Sequence, residues 1–192
     1  MWIGADPGGK NNFGMAVLNE DGTFRTCCVS CADDALEYIS NDSMGLGIDS
    51  PLWWSSGPSG DRRADQWLRK TFKISGGTVQ AANSLRGAAL VQGHMLIARA
   101  RQLYPRLKIT EAHPKALVEA LRLSSWEKIA RQFRLKGPEP KIEHERDAVL
   151  AAVAAREGFL GRWKKDLSLD CLPSEQNPAK LWFGEIHYWW PH

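Results

Sequence analysis

The chain has 192 residues, of which 43% are hydrophobic and 24% are charged, with a formal net charge of +3. This composition is that of an ordinary globular protein, and its length suits one domain that contains at most a large insertion. No apolar run is long enough to span a bilayer, so we expect no membrane partner and a cytoplasmic location.

The first three predicted strands are short and closely connected. They cover residues 1–6, 13–18 and 23–30, and turn-forming residues separate them. Because such short connections do not allow a parallel crossover, we expect an antiparallel meander.

Beyond residue 30, predicted helices alternate with strands. A short helix over 33–40 leads to a strand over 44–49, and a long helix from Ser84 to about residue 104 leads to a strand over 107–111. Each helix returns the chain across the sheet, so we expect these two strands to be parallel to the first.

A loop-rich stretch at about 51–83 interrupts this alternation around a basic helical piece over 61–72, and we interpret it as an insertion beside the functional site. Between residues 62 and 108, ten basic residues are opposed by one acid, Asp65. This asymmetry indicates a polyanionic partner or, alternatively, solvated helix faces. The residues that we predict to bind nucleic acid are Arg62, Arg63, Arg69, Lys70, Lys73 and Arg86.

The C-terminal part is predicted to be helical and to end in an aromatic tail. Helices are expected from 114 to about 121, from a capping-box pattern at 124–127 to about 135, and from about 142 to 159. The tail over 173–192 is expected to lay one more strand or an apolar strap over the body.

Three of the predicted strands end on a carboxylate, namely Asp6, Asp49 and Glu111. A role in a turn or helix cap would explain any one of them. However, sites form at the carboxyl ends of neighbouring parallel strands, and carboxylates that converge there repel one another unless cations neutralise them. The three acids together predict a divalent-metal site.

The last predicted helix carries a further acid. His144 and Asp147 are three residues apart and share a face, and alanines dominate the helix from position 148 to 155. Small side chains let a helix approach a sheet closely enough for a short Asp side chain to reach a metal. The alternative is that these charged residues merely favour the helix N-terminus.

The order of these elements and several short motifs resemble a known superfamily. The predicted order resembles that of ribonuclease H-like proteins. It consists of three antiparallel strands, a helix, a parallel strand, a helix, a parallel strand and a final helix. Residues 4–8 (GADPG) resemble its first-strand motif, and residues 144–148 (HERDA) resemble the last-helix motif of its Holliday-junction-resolvase branch. More narrowly, nearly the whole chain resembles a bacterial family of unknown function described as predicted nucleases, through residues 48–52 (IDSPL), 62–65 (RRAD), 110–114 (TEAHP) and 144–148.

The resemblance implies a single α/β domain with a ribonuclease H-like mixed sheet flanked by helices. It also implies hydrolysis of nucleic-acid phosphodiester bonds with two Mg²⁺ or Mn²⁺ ions. Carried over by position, Asp6, Asp49 and Asp147 are the metal ligands. His144 is expected to orient a water or the leaving group, and Glu111 is a catalytic residue whose role is less defined.

Two other functional classes remain open. Asp6 and the glycines that follow it also resemble the phosphate loop of actin-like ATPases, but Ser50 and Pro51 offer no second phosphate loop after Asp49. The other class is a non-catalytic nucleic-acid-binding or scaffold protein with the same fold. The choice among DNA, RNA and branched substrates stays open, as does the oligomeric state, a homodimer included.

Four cysteines are present, and Cys28 and Cys31 have a Cys-x-x-Cys spacing. Without a second pair this is a weak signal for zinc or redox chemistry. We predict instead that the thiols pack as small apolar groups in a strand.

Overall fold

The structure, a computed structural model, describes residues 1–9, 11–57, 60–85 and 87–191. Its centre is a five-stranded sheet of β1 (Trp2–Asp6), β2 (Phe13–Leu18), β3 (Phe24–Val29), β4 (Gly45–Ile48) and β5 (Lys108–Glu111). The spatial order is β3-β2-β1-β4-β5, with β1 to β3 antiparallel and both β4 and β5 parallel to β1. This confirms the predicted mixed sheet, and the strand order and directions are consistent with a ribonuclease H-like fold.

Six α-helices accompany the sheet in the described residues: α1 (Ala32–Leu36), α2 (Arg63–Phe72), α3 (Gly87–Leu103), α4 (Pro114–Ala120), α5 (Trp126–Phe133) and α6 (Glu143–Phe159). Two predicted caps are wrong. Ser84 lies in a short 3-10 turn, and Leu85 after it has an extended backbone, so α3 cannot run through from Ser84. Ser125 rather than Ser124 precedes α5, and its side chain makes no capping hydrogen bond.

The last helix, α6, lies directly on the sheet because glycines stand beneath it. A Cβ atom added at Gly4 would lie 1.8 Å from the Ala148 carbonyl oxygen, and one at Gly47 would lie 1.9 Å from that of Ala151. These distances are far below van der Waals contact, so only glycine permits this approach. The sequence predicts that the alanines of α6 let the helix approach the sheet. The structure shows that this approach also requires the strand glycines.

Residues that alternate with these glycines are also fully buried. Ile3 and Ile48 have no exposed surface, and successive side chains of a strand point to opposite faces. The sheet is therefore covered on both faces, which explains why its strands read as continuous apolar runs rather than alternating ones.

The C-terminal tail covers the free edge of β5, in agreement with the predicted strap. The backbone N–H of Glu111 donates to the His187 carbonyl at 2.8 Å, and the N–H of His187 donates to that of Ile109 at 3.1 Å. Two further strands, β6 (Lys165–Asp166) and β7 (Trp189–Trp190), pair antiparallel beside this edge.

The tail also anchors the segment that was interpreted as an insertion. The Glu175 carboxylate accepts from the Trp53 indole N–H at 2.8 Å and from the Arg63 backbone N–H at 2.7 Å. These bonds hold the start of α2 in place. No helix among the described residues is both long enough and apolar enough to cross a membrane.

Candidate metal centre

Three carboxylates from separate parts of the chain meet at the carboxyl ends of β1 and β4. Asp6 is the last residue of β1, Asp49 follows β4, and Asp147 lies in the first turns of α6. Each offers an oxygen within 4.8 Å of the other two. We call these residues the acidic cluster. Within the described residues no other group of His, Cys, Asp or Glu meets the same geometry.

The glycine contacts explain how the acidic cluster forms. Asp6 and Asp49 each lie two residues after a glycine that contacts α6. Because residues i and i+2 of a strand point to the same face of the sheet, both carboxylates lie on the α6 side. Asp147 immediately precedes Ala148, whose carbonyl lies against Gly4. The close approach of α6 therefore brings a short Asp side chain to the strand ends.

Glu111 does not join the acidic cluster, because the register of β5 turns it to the other face of the sheet. It pairs with Ile48, one residue before Asp49. On that face its two carboxylate oxygens accept from Arg62 Nη1 at 2.7 Å and Nη2 at 2.6 Å, and one of them accepts from the Leu52 N–H at 2.9 Å. Burial raises the pKa of Glu111, and the Arg62 charge opposes that rise.

Arg62, predicted to contact nucleic acid, is instead buried with only 1% of its surface exposed. Its guanidinium also bonds both oxygens of Asp65, at 2.9 Å each, and lies 4.2 Å from the centre of the Trp53 ring. All of its charge is thus directed to internal carboxylates. We call Arg62, Asp65 and Glu111 the arginine cluster. The burial of Arg62 in this cluster contradicts the surface role predicted for it.

The other described residues that were predicted to contact nucleic acid do not belong to the acidic cluster. Arg63 pairs with Asp170 at 3.2 Å, and Arg69 pairs with Asp61 at 2.7 Å. Lys70 and Lys73 are exposed, while Arg86 lies outside the described residues.

Burial gives the acidic cluster unusual electrostatics. Burial, more than any other cause, raises the pKa of Asp6 to about 7, and it raises those of Asp49 and Asp147 as well. Repulsion from Asp147 adds to the effect on Asp6, and repulsion from both neighbours adds to that on Asp49. Arg146 Nε lies 3.6 Å from Asp147 Oδ1, and its charge lowers the pKa of Asp147, but Asp6 and Asp49 have no arginine partner among the described residues. Oxygen donors of this kind suit Mg²⁺ or Mn²⁺. The donor set fits divalent cations.

His144 contacts the acidic cluster, as its predicted role requires. Its Nδ1 lies 2.6 Å from Asp6 Oδ2, a distance that marks a strong hydrogen bond. Since Nδ1 is engaged by Asp6, Nε2 is the nitrogen left for exchange of a proton.

Two further residues of the site were missed by sequence reasoning. Lys115, in the first turn of α4, bonds Glu143 at 2.9 Å, and its charge lowers the pKa values of all three acids of the cluster. His113 lies with Nδ1 4.0 Å from Asp49 Oδ1, and burial lowers its pKa to about 4. The sequence contained a signal for both residues, because they lie in the segment directly after β5, whose carboxyl end is at the site.

A cavity of about 430 Å³ adjoins the acidic cluster. Its floor includes Asp6, Asp49, His144 and Lys115, together with Pro7 to Gly9 after β1. Residues 77–85, from the segment between α2 and α3, contribute a further wall through Gly77, Thr78, Gln80, Ser84 and Leu85. Asp6 and Asp49 therefore face a partly open cavity that a ligand can enter.

The cysteines contribute nothing to this centre. All four are free and partly exposed. Cys28 lies in β3 and Cys31 precedes α1, and neither belongs to a candidate metal group among the described residues.

The strand order defines an α/β protein that is consistent with a ribonuclease H-like fold, and the acidic cluster forms a site whose donors suit divalent cations. Residues 4–166 match the model of a family described as a protein of unknown function, DUF429, and the chain belongs to that family. The predicted membership in a family of unknown function is thereby confirmed. No curated protein and no solved structure matches the chain.

Proposed function

We propose that this protein is a divalent-metal-dependent hydrolase of phosphodiester bonds in nucleic acid. The observation that carries the proposal is the acidic cluster, in which Asp6, Asp49 and Asp147 converge within 4.8 Å. Among the described residues, the one arginine that contacts them is Arg146, at 3.6 Å from Asp147. Clustered buried carboxylates are costly unless cations bind them. A site maintained at that cost favours a metal-binding function over a scaffold.

The chain's own residues have distinct tasks in this proposal. Asp6, Asp49 and Asp147 hold Mg²⁺ or Mn²⁺, and bound ions of this kind activate a water and stabilise the leaving oxygen. His144 fixes the orientation of Asp6 and offers Nε2 for exchange of a proton with the water or the leaving group. Lys115 supplies positive charge at the cavity, where it attracts a phosphate group.

A second candidate substrate is a small phosphorylated molecule instead of a polymer. The cavity of about 430 Å³ is within the size range of small-molecule sites. Of the described residues predicted to bind nucleic acid, Arg62 is the one that lines the cavity, and its charge is consumed by Asp65 and Glu111. Both observations favour a compact phosphate ester or a strand end.

The two remaining classes receive less support. An actin-like ATPase requires a second phosphate loop, whereas Asp49 is followed by Ser50, whose hydroxyl donates to the Ala89 carbonyl at 3.3 Å. A non-catalytic scaffold would gain nothing from carboxylates that are neutralised only in part, and the arginine cluster illustrates how a structural group of acids is neutralised.

The test is a panel of labelled single-stranded, duplex, hybrid and branched nucleic acids and mononucleotide esters, each with Mg²⁺, Mn²⁺ or Ca²⁺. We expect cleavage with Mg²⁺ or Mn²⁺ and little with Ca²⁺, whose looser coordination holds the reacting oxygens poorly. The Asp6→Asn protein is the matched control because it removes one ligand charge. If no substrate is cut, or if both proteins cut equally, the hydrolase proposal fails.

Salt dependence separates the polymer from the small substrate. Binding of a polymer through Lys70 and Lys73 should weaken steeply as salt rises, and the double change Lys70→Ala with Lys73→Ala should reduce that slope. Hydrolysis of a small ester should be indifferent to this change. Arg62 is unsuitable for this test because its loss would disturb the protein interior.

A further inference from the structure

His113 is held rigidly beside the acidic cluster. It joins β5 to α4, directly before Pro114, whose ring starts the helix. Its Nδ1 is buried and has no hydrogen-bond partner among the described residues. A buried polar nitrogen without a partner is costly, so this atom indicates a ligand.

Nδ1 of His113 faces a carboxylate oxygen of the acidic cluster. It lies 4.0 Å from Asp49 Oδ1, and in the neutral tautomer that carries its proton on Nε2, Nδ1 offers a lone pair to a ligand.

We propose that His113 Nδ1 and Asp49 Oδ1 together ligate a divalent ion of the acidic cluster and give the site a preference for transition metals over Mg²⁺. This inference rests on the function proposed above. Two acceptors 4.0 Å apart are too distant to share a proton, which needs about 2.5–3.0 Å. A metal at about 2.1 Å from each spans roughly this distance.

The environment of His113 is also that of a metal ligand. A ligating imidazole commonly donates its second N–H to a backbone carbonyl or a carboxylate, which fixes the ring. Thr78 lines the cavity together with His113. His144 differs, because its Nδ1 is occupied by Asp6 at 2.6 Å, so it orients a ligand instead of presenting a free nitrogen.

A nitrogen ligand changes which metals bind best. Carboxylates and water suit Mg²⁺, whereas imidazole suits later transition metals, whose affinities rise from Mn²⁺ through Co²⁺ to Ni²⁺. His113 should therefore contribute more to binding of Co²⁺ than to binding of Mg²⁺.

The experiment titrates the full chain with Co²⁺ and with Mg²⁺, using calorimetry and the visible absorption of Co²⁺. In His113→Ala we expect Co²⁺ affinity to fall at least about tenfold, a smaller loss for Mg²⁺, and a changed Co²⁺ spectrum. His94→Gln is the matched control, because the Nδ1 atom of His94 is bonded to the Leu90 carbonyl on α3. That variant should bind both ions normally.

Two further measurements test the role of His113 if His113→Ala folds poorly. His113→Gln should give the same result with a longer neutral side chain. Proton NMR of the Co²⁺-loaded protein should show a strongly shifted, exchangeable imidazole N–H that persists in His144→Ala. Unchanged Co²⁺ affinity and spectrum in both His113 variants, or absence of that signal, would mean that a water lies beside Nδ1. If the unmodified chain binds neither ion, the proposed function itself fails.

Discussion

Two groups of carboxylates line the same cavity from opposite faces of the sheet, and their partners differ. In the arginine cluster, Arg62 bonds Asp65 and Glu111 through close, paired contacts. In the acidic cluster the acids approach one another instead, and Arg146 Nε contacts Asp147 Oδ1 at the longer distance of 3.6 Å. Glu111 and Asp49 are separated by a single position of register.

This difference shows how to distinguish structural from functional acids. A buried acid that is neutralised internally has no capacity left for a ligand, whereas clustered acids with raised pKa values retain it. Glu111 is buried and Asp49 is partly exposed, but exposure alone does not show which acid can bind a ligand. Their partners do.

The largest expected effect comes from removing one charge of the acidic cluster. For Asp49→Asn we expect hydrolysis to fall at least about 10²–10³-fold, since a bound metal contributes several kcal/mol to the transition state. Without metal, the variant should be at least as stable as the unmodified protein, because repulsion is relieved. Rate assays and denaturation of the metal-free protein measure the two effects. A clearly less stable variant would make Asp49 structural.

A large loss of stability should follow from disturbing the arginine cluster. Glu111→Gln leaves part of a buried guanidinium charge unmatched, which should cost about 3–5 kcal/mol of unfolding free energy. Chemical denaturation measures this loss, with Asp170→Asn, which breaks an exposed pair with Arg63, as a control expected to cost less than about 1 kcal/mol.

The folded fraction of Glu111→Gln should still bind Mn²⁺ with its original stoichiometry. The acidic cluster lies on the other face of the sheet and does not use Glu111. Loss of Mn²⁺ binding by the folded protein would contradict the separation of the two clusters.

A smaller effect is expected from the contact that joins α6 to the sheet. Gly47→Ala places a methyl group against the Ala151 carbonyl, which should cost about 1–3 kcal/mol and weaken Mn²⁺ binding by moving Asp147 away. Thermal denaturation and calorimetry measure these changes. Gly76→Ala is the control, because a Cβ atom there meets nothing within 4 Å.

The last prediction concerns the dependence of stability on pH in the metal-free protein. The pKa of Asp6 rises from 3.8 to about 7 on folding, so the folded state binds the proton more tightly than the unfolded state. The metal-free protein should therefore lose stability as pH rises from about 4 to about 7, and Mn²⁺ affinity should increase over the same range. Denaturation at several pH values measures this trend, and Asp6→Asn should flatten it. An increase in stability between about pH 4 and about pH 7 would contradict a raised pKa of Asp6 in the folded state.

Local patterns in the sequence were sufficient to predict the strands, most helices and the strand-end positions of Asp6 and Asp49, whereas Asp147 entered the candidate site through the resemblance. Strand residues and turn signals depend on neighbouring positions, so the carboxyl ends of β1 and β4 could be identified without a structure. The spacing of His144 and Asp147 likewise placed both on one face of α6.

Tertiary structure alone decided the environment of each candidate. Glu111 ends a strand as Asp49 does, but register between β4 and β5, which no local signal specifies, turned it toward Arg62. Burial of Arg62 and the position of His113 beside Asp49 depend on contacts between residues distant in the chain. The sequence therefore determined which residue types could bind metal, while long-range packing determined which of them meet.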